Sequence, residues 1–376
     1  MNWTLRSGLA AAIAATSLTA QAATLTPLTS FGGGDGWRAP SEVLAGDSAA
    51  IADGSGYLYL RNGNLERGLA YNPITNNLIL VSRSSAGQGI RVLDGTTGDD
   101  VGRVEQTGTP PSGGTFAINM VDVGSDGAIY VGNLSTAASS NFKVYRWASE
   151  GAAGYTVAYD GLTGLARTGD SFAAIGAGSS TKIAAAGTNN VAASNFAVLS
   201  TNDGLAFAAQ AYTSVPGTLT TSNDYRLGLT FVDSDTLIGN QGTSARVTDF
   251  GASATVTDTI PLGIAQRPLD YAVVGGVPVL AVIDTNSARV EVFNVTNPGS
   301  PVLLGFANAT SGPLTANGNA AGAVAWGAIS GDTATLYAMS TNMGIQAFTF
   351  QVPEPGAVGL ALVAAAAVVG RRRRTA

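Results

Sequence analysis

The chain of 376 residues contains no cysteine and no histidine. Without cysteine there is no disulfide, no thiolate nucleophile and no thiolate metal site. Without histidine there is no Ser-His-Asp triad, and the commonest transition-metal ligand is missing. Lysine occurs only at Lys143 and Lys182. Any chemistry must therefore rest on carboxylates, tyrosine, arginine or those two lysines, or on a hard cation held by oxygens.

Glycine is abundant instead, with 49 residues, alongside many Ala, Ser, Thr and Asn. Short strands joined by Gly/Asn/Asp/Ser turns account for that bias better than helices do. With 45% apolar and 12% charged residues, the chain is too apolar for a disordered one. Five of its 19 basic residues, Arg6 and Arg371 to Arg374, lie near the ends, leaving 14 against 25 acidic side chains between them. So acidic a body excludes a nucleic-acid partner, which needs a basic face. It suits a soluble protein outside the cell.

Both ends read as targeting segments. Residues 1–22 have a positive start at Arg6, an apolar run from Leu9 to about Leu18, and the small-x-small site Ala20-Gln21-Ala22. That order predicts a signal peptide cut by signal peptidase after Ala22. Residues 352–376 hold Val352-Pro353-Glu354-Pro355, an apolar run from Gly356 to Gly370, and Arg371-Arg372-Arg373-Arg374. Those 15 apolar residues make ~22 Å of helix at ~1.5 Å per residue. That falls short of the ~30 Å hydrocarbon core, and such a helix suits a transient anchor better than a permanent one. The arginines would keep the carboxyl end in the cytoplasm.

This three-part tail resembles the PEP-CTERM sorting signal of Gram-negative bacteria. The resemblance implies recognition by a membrane protease of the exosortase kind, and removal of the tail. It further implies release or attachment at the cell surface, in proteins associated with exopolysaccharide or biofilm matrix.

Residues 23–351 read as one all-β domain, a single β-propeller. Gly68–Tyr71 is a short strand and Asn72–Asn77 a turn. Leu78–Ser82 and Ile90–Asp94 are the next strands, followed by a turn at Gly95–Gly98 and a fourth strand at Val101–Val104. The first hairpin recurs at 116–131, 172–186, 227–238, 271–282 and 323–338. Third strands are expected at 142–147, 288–293 and 344–350. Spacings of about 44–56 residues fit propeller blades with generous loops. No hairpin of this kind buries both faces alone, so neighbouring blades must supply the core. Six blades are counted from Arg67, with seven as the alternative and a pair of β-sandwiches as a different solution. Residues 23–66 are left to add an outer strand to the last blade or to begin a seventh.

Several Asp-rich turns raise calcium as a candidate cofactor: Asp122–Gly127, Asp94–Asp100 and Asp233–Asp235. The first has Gly124 at its third position and Asn133 at its twelfth, so it is not an EF-hand loop. Asp in hairpin turns is expected anyway, because it bonds its own backbone. Arg67, Arg226 and Arg267 each precede the first strand of a unit, which places them near one mouth of the central channel. There they would either bind an anionic ligand such as an acidic polysaccharide or pair locally with Glu66, Asp224 and Asp270. Lys143, Tyr145 and Trp147 share a strand face, as a sugar-stacking strip or as packing between blades. No carboxylate pair is singled out for acid–base work by its spacing.

The body also resembles propeller-like bacterial proteins known as a domain family of unknown function. The resemblance is carried by Arg67–Pro73 with Leu80–Arg83, Gly113–Asn119 and Val144–Trp147, and it implies no catalytic residue. The expected function is a non-enzymatic surface or matrix scaffold; the alternative is a secreted glycan lyase or hydrolase on the same fold.

Overall fold

The computed structural model describes residues 23–48, 59–83, 89–106, 110–188, 195–219, 223–263, 266–312 and 314–352. These residues form an all-β six-bladed propeller within one compact unit, Ala23–Val352. Two strands precede the first blade, β1 (Thr24–Pro27) and β2 (Trp37–Arg38). Blade 1 is β3 (Glu66–Asn72), β4 (Asn77–Ser82), β5 (Gly89–Asp94) and β6 (Asp100–Arg103). Blade 2 is β7 (Phe116–Val123), β8 (Ile129–Leu134), β9 (Phe142–Trp147) and β10 (Thr156–Gly161). Blade 3 is β11 (Ser171–Ile175), β12 (Lys182–Ala186), β13 (Asn195–Thr201) and β14 (Phe207–Thr213). Blade 4 is β15 (Gly228–Phe231), β16 (Thr236–Asn240), β17 (Ser244–Phe250) and β18 (Ala254–Pro261). Blade 5 is β19 (Gln266–Val274), β20 (Val277–Asp284), β21 (Val290–Asn294) and β22 (Val302–Ala307). Blade 6 has three consecutive strands, β23 (Gly322–Ser330), β24 (Thr333–Ser340) and β25 (Ile345–Gln351). Each blade is an antiparallel meander, and the first strand of each stands beside that of the next around the axis.

Blade 6 takes its fourth strand from the other end of the chain: β1 pairs antiparallel with β25, Thr24 opposite Gln351 and Pro27 opposite Phe348. The leading residues thus close the ring, and no seventh blade or second sandwich forms among the described residues. Between β1 and β2 the chain swings out to blade 1, where Gly32 N–H donates to the Thr97 carbonyl and Ser30 Oγ to that of Thr96. Phe31 is fully buried in the seam between blades 6 and 1. β2 then returns to β25, Trp37 opposite Gln346.

The core is distributed among the interfaces. Six apolar clusters fill the six blade–blade seams, each drawing on two adjacent blades. This is the packing that short, two-faced strands require, since each sheet covers its neighbour. Polarity rises outward: β3 is almost wholly buried, whereas β6 alternates with solvent. Close approach near the axis demands glycine. A Cβ on Gly68 would sit 2.6 Å from Val121 N of the next blade, and one on Gly228 would sit 2.0 Å from the Arg267 carbonyl oxygen. Among the described residues no helix is long and apolar enough to cross a membrane. The signal-peptide residues Ala20 and Ala22 and the tail residues Pro353, Glu354, Pro355 and Arg371 to Arg374 lie outside the described residues.

Candidate functional site

The inner strands all run the same way along the axis, so the propeller has a mouth where they start and another where they end. Arg67 lies at the start of β3, Arg83 just past the end of the strand paired with it, and Arg167 and Arg226 in the loops entering blades 3 and 4. All four meet at the starting mouth. Asp170 lies among them and is bonded by two of the four. Arg167 grips it with Nε–Oδ2 at 2.5 Å and Nη2–Oδ1 at 2.6 Å, and Arg226 Nε reaches Oδ2 at 3.0 Å. The bond to Asp170 pushes the Arg167 pKa up.

Among the described residues Arg67 and Arg83 make no direct ion pair. Arg67 is 6% exposed and makes one long hydrogen bond, Nη1 to Thr341 Oγ1 at 3.4 Å. Burial pushes its pKa down against the pull of Glu66 and Asp170. Arg83 donates Nη2 to Asn119 Oδ1 and lays its guanidinium 3.7 Å above the Phe116 ring, while its Nε is buried without a partner. Burial, then the charges of Arg67 and Arg167, push its pKa down to about 9, with Asp170 pulling the other way. Burial pushes the carboxyl pKa of Glu66, beside Arg67, up, against its backbone hydrogen bonds and the charge of Arg67. Four guanidiniums with fewer carboxylates, in partly desolvated surroundings, are an arrangement that attracts an anion.

β-Bulges aim this constellation. Register shifts fall between Glu66 and Gly68 in β3 and between Phe116 and Met120 in β7, so Arg67 and Asn119 sit at irregularities that redirect a side chain. Asn119 in turn donates to the Gly169 carbonyl, linking the Arg83 support to the loop that carries Asp170.

The three arginines read from the sequence therefore divide. Arg67 and Arg226 share the field of Asp170, but Arg267 donates Nε to the Gln241 carbonyl at 2.9 Å. Two of the expected local pairings are corrected, while Glu66 does act on Arg67: Asp224 is held by Arg246 at 3.2 Å, and Asp270 binds Thr230, Tyr271 and Trp326 rather than Arg267. Arg83 and Arg167 were missed because neither stands immediately before an inner strand. The available signal was that Arg83 directly follows a strand ending beside Glu66.

A second feature lies along the axis. A cavity of about 520 Å³ is walled by the inner strands and opens at the opposite mouth, where Pro73, Ser125, Val273 and Ile329 are exposed. Asp122 of blade 2 and Asp270 of blade 5 are on its wall. Three blades apart in a ring of six, they stand on opposite sides. Asp122 accepts Ala174 N–H at 2.6 Å and Asp270 accepts Trp326 N–H at 2.9 Å, so each fastens its blade to the next. Both lie deep in the molecule yet remain partly open to the lumen. Burial pushes Asp122 up to about 7, with Asp270 adding to the shift, and burial pushes Asp270 up to about 6.

Such shifts have a sign. The folded chain binds these protons more tightly than the unfolded one, so the stability they contribute is full below about pH 4 and lost as pH rises through 6 and 7. Lumen water moderates the loss, which we expect to be about 1–3 kcal/mol. Denaturant titrations at pH 5.5 and pH 8 should show the lower stability at pH 8, and Asp122→Asn should flatten the difference. Equal slopes in the two proteins would refute the assignment.

The other sequence candidates are structural in this fold. Asp94 accepts Thr96 and Thr97 N–H, Asp126 accepts Ala128 N–H, and Asp233 accepts Asp235 N–H, as turn-stabilising side chains do. Among the described residues no three acidic side chains gather as a metal site. Tyr145 and Trp147 are buried between blades 1 and 2, with Trp147 Nε1 donating to the Glu105 carbonyl at 2.8 Å; Lys143 pairs with Asp160 at 3.1 Å.

No protein-family model matches the chain, and no curated protein matches it. Among solved structures, it is similar to a DUF4623 family protein from Bacteroides eggerthii, with a TM-score of 0.59 and 17% identity over 77% of this chain and 71% of that one. It is also similar to the major Malassezia sympodialis allergen Mala s 1, with a TM-score of 0.47 and 12% identity over 78% of this chain and 95% of that one. A lectin solved with alpha methyl fucoside gives a TM-score of 0.48 and 11% identity over 77% of this chain and 96% of that one. At these identities the likeness is one of fold.

Proposed function

We propose that this protein is an exported surface or matrix protein whose propeller is a non-enzymatic binding scaffold, with the arginine-lined mouth as its binding site for acidic exopolysaccharide. The observation that carries the proposal is the surplus of guanidinium there: four arginines around Asp170 in a body that is otherwise strongly acidic. Export across the inner membrane, a transient carboxyl-terminal anchor and processing by an exosortase-type protease are the parts of this reading that rest on the end segments. Retention of the purified body on immobilised acidic polysaccharide tests the binding. The expected result is retention that falls with salt and is lost in Arg67→Gln/Arg226→Gln. Unchanged retention of that double variant would remove the mouth as the site.

The opposed carboxylates Asp122 and Asp270 favour a second reading, a glycan-cleaving enzyme working in the axial cavity. Paired carboxylates are the usual equipment of glycosidases. Shortening of a polysaccharide chain during the same incubation, abolished by Asp270→Asn, would select that reading over the scaffold.

A further inference from the structure

We infer that Arg67 and Arg83 together hold one compact anion, the carboxylate of a uronic acid residue, with the sugar ring lying beside Phe116. This rests on the binding mouth proposed above and names the group it takes.

Asp170 is saturated by Arg167, which binds it through two nitrogens, and by Arg226. Glu66 spends Oε1 on the Arg61 N–H at 2.6 Å, and its Oε2 is buried without a partner. Among the described residues Arg67 and Arg83 thus make no direct ion pair, and the two guanidiniums repel each other with only the more distant charges of Glu66 and Asp170 acting on them. Such a pair is strongly favourable only when an anion completes it, since a buried unpaired charge is costly.

Arg83 is fixed by Asn119 at Nη2 and by the Phe116 ring beneath it, and its Nε is enclosed; among the described residues its Nη1 takes no partner and is the donor left for a ligand. Arg67, held by a single long bond to Thr341, has most of its fork free. Two forks sharing one target match the two oxygens of a carboxylate. Phe116 supplies the remaining part. It is 40% exposed although it lies directly under a guanidinium, so an apolar ring face or edge stays open beside the anion site. An aromatic surface next to a carboxylate receptor fits a sugar acid, which has an apolar ring face and one charged group. A bare inorganic anion would have no use for it.

The test is calorimetric titration of the secreted protein with glucuronate, glucose and inorganic phosphate. Glucuronate should bind, glucose should not, and phosphate should bind at least tenfold more weakly than glucuronate. Arg83→Gln should weaken glucuronate at least tenfold. Phe116→Ala, a change at a partly exposed ring, should bring glucuronate down to the level of phosphate. Arg267→Gln should have no effect, because its guanidinium serves the Gln241 carbonyl. Phosphate binding as tight as glucuronate, or unaltered affinity in Arg83→Gln, would overturn the inference. If glucuronate binds but the polymer is not retained, the receptor stands and the polysaccharide reading falls.

Discussion

Deleting residues 23–38 should convert the propeller from one cooperatively unfolding body into an open array that melts far below the intact protein. The deletion removes the fourth strand of blade 6 and with it the pairing of Thr24–Pro27 along β25. It removes Trp37, whose indole N–H donates to the Met343 carbonyl at 2.8 Å, and the buried Arg38–Asp47 pair at 3.0 Å. It also removes Phe31, packed among Leu78, Leu80 and Leu93 of blade 1 and Tyr337, Met339 and Ile345 of blade 6.

In a ring every blade is covered by two neighbours, so opening one seam uncovers an apolar face on each side of it. A single substitution isolates one part of the effect. Phe31→Ala should cost about 3–5 kcal/mol as a buried aromatic truncated to alanine. For a body of this size that corresponds to a melting point lower by roughly 4–7 °C. Calorimetry of both variants checks this. A deletion that melts within a few degrees of the parent would show that the six seams are independent and that closure adds nothing.

The same seam shows what the sequence could and could not disclose. Blade number and strand order were legible because each inner hairpin is a short apolar run, a turn and a second apolar run. The third strand at Phe142–Trp147 appears where its pattern placed it. A closing strand contributed by residues 23–66 was one of two options. The choice was settled by pairing with β25, a contact across more than 300 residues that no local pattern encodes.

The mouth was half legible. Arg67 and Arg226 could be placed because inner strands begin at a common level on the axis. Their partners could not, because Asp170 belongs to the loop between blades 2 and 3 and is reached from two different blades. Asp122 and Asp270 were visible as single residues. Their opposition depends on blade 2 facing blade 5, which follows only once six blades are known to close. Sequence spacing reads relations within a blade; relations across the axis are set by the ring.

Replacing Pro353-Glu354-Pro355 by alanines should leave the protein with its tail attached and in the membrane fraction, whereas the parent should be recovered trimmed at the surface. β25 ends at Gln351, and Val352, the next residue, is buried with its N–H on the Asp332 carbonyl at 2.9 Å. A cut near Pro353 to Pro355 would therefore leave β25 whole, with its pairings to β1 and β24. Cleavage after Ala22 has the same property at the other end, because β1 begins at Thr24.

Both proposed cuts thus fall within a few residues of the two strands that pair to close the ring. Mass spectrometry of surface-exposed protein should find ends at Ala23 and near Pro353 to Pro355. Recovery of Arg371 to Arg374 on that protein would sink the sorting proposal. Loss of folding in the alanine variant would instead show that the tail serves the propeller, against the self-sufficient closure by β1 and β25.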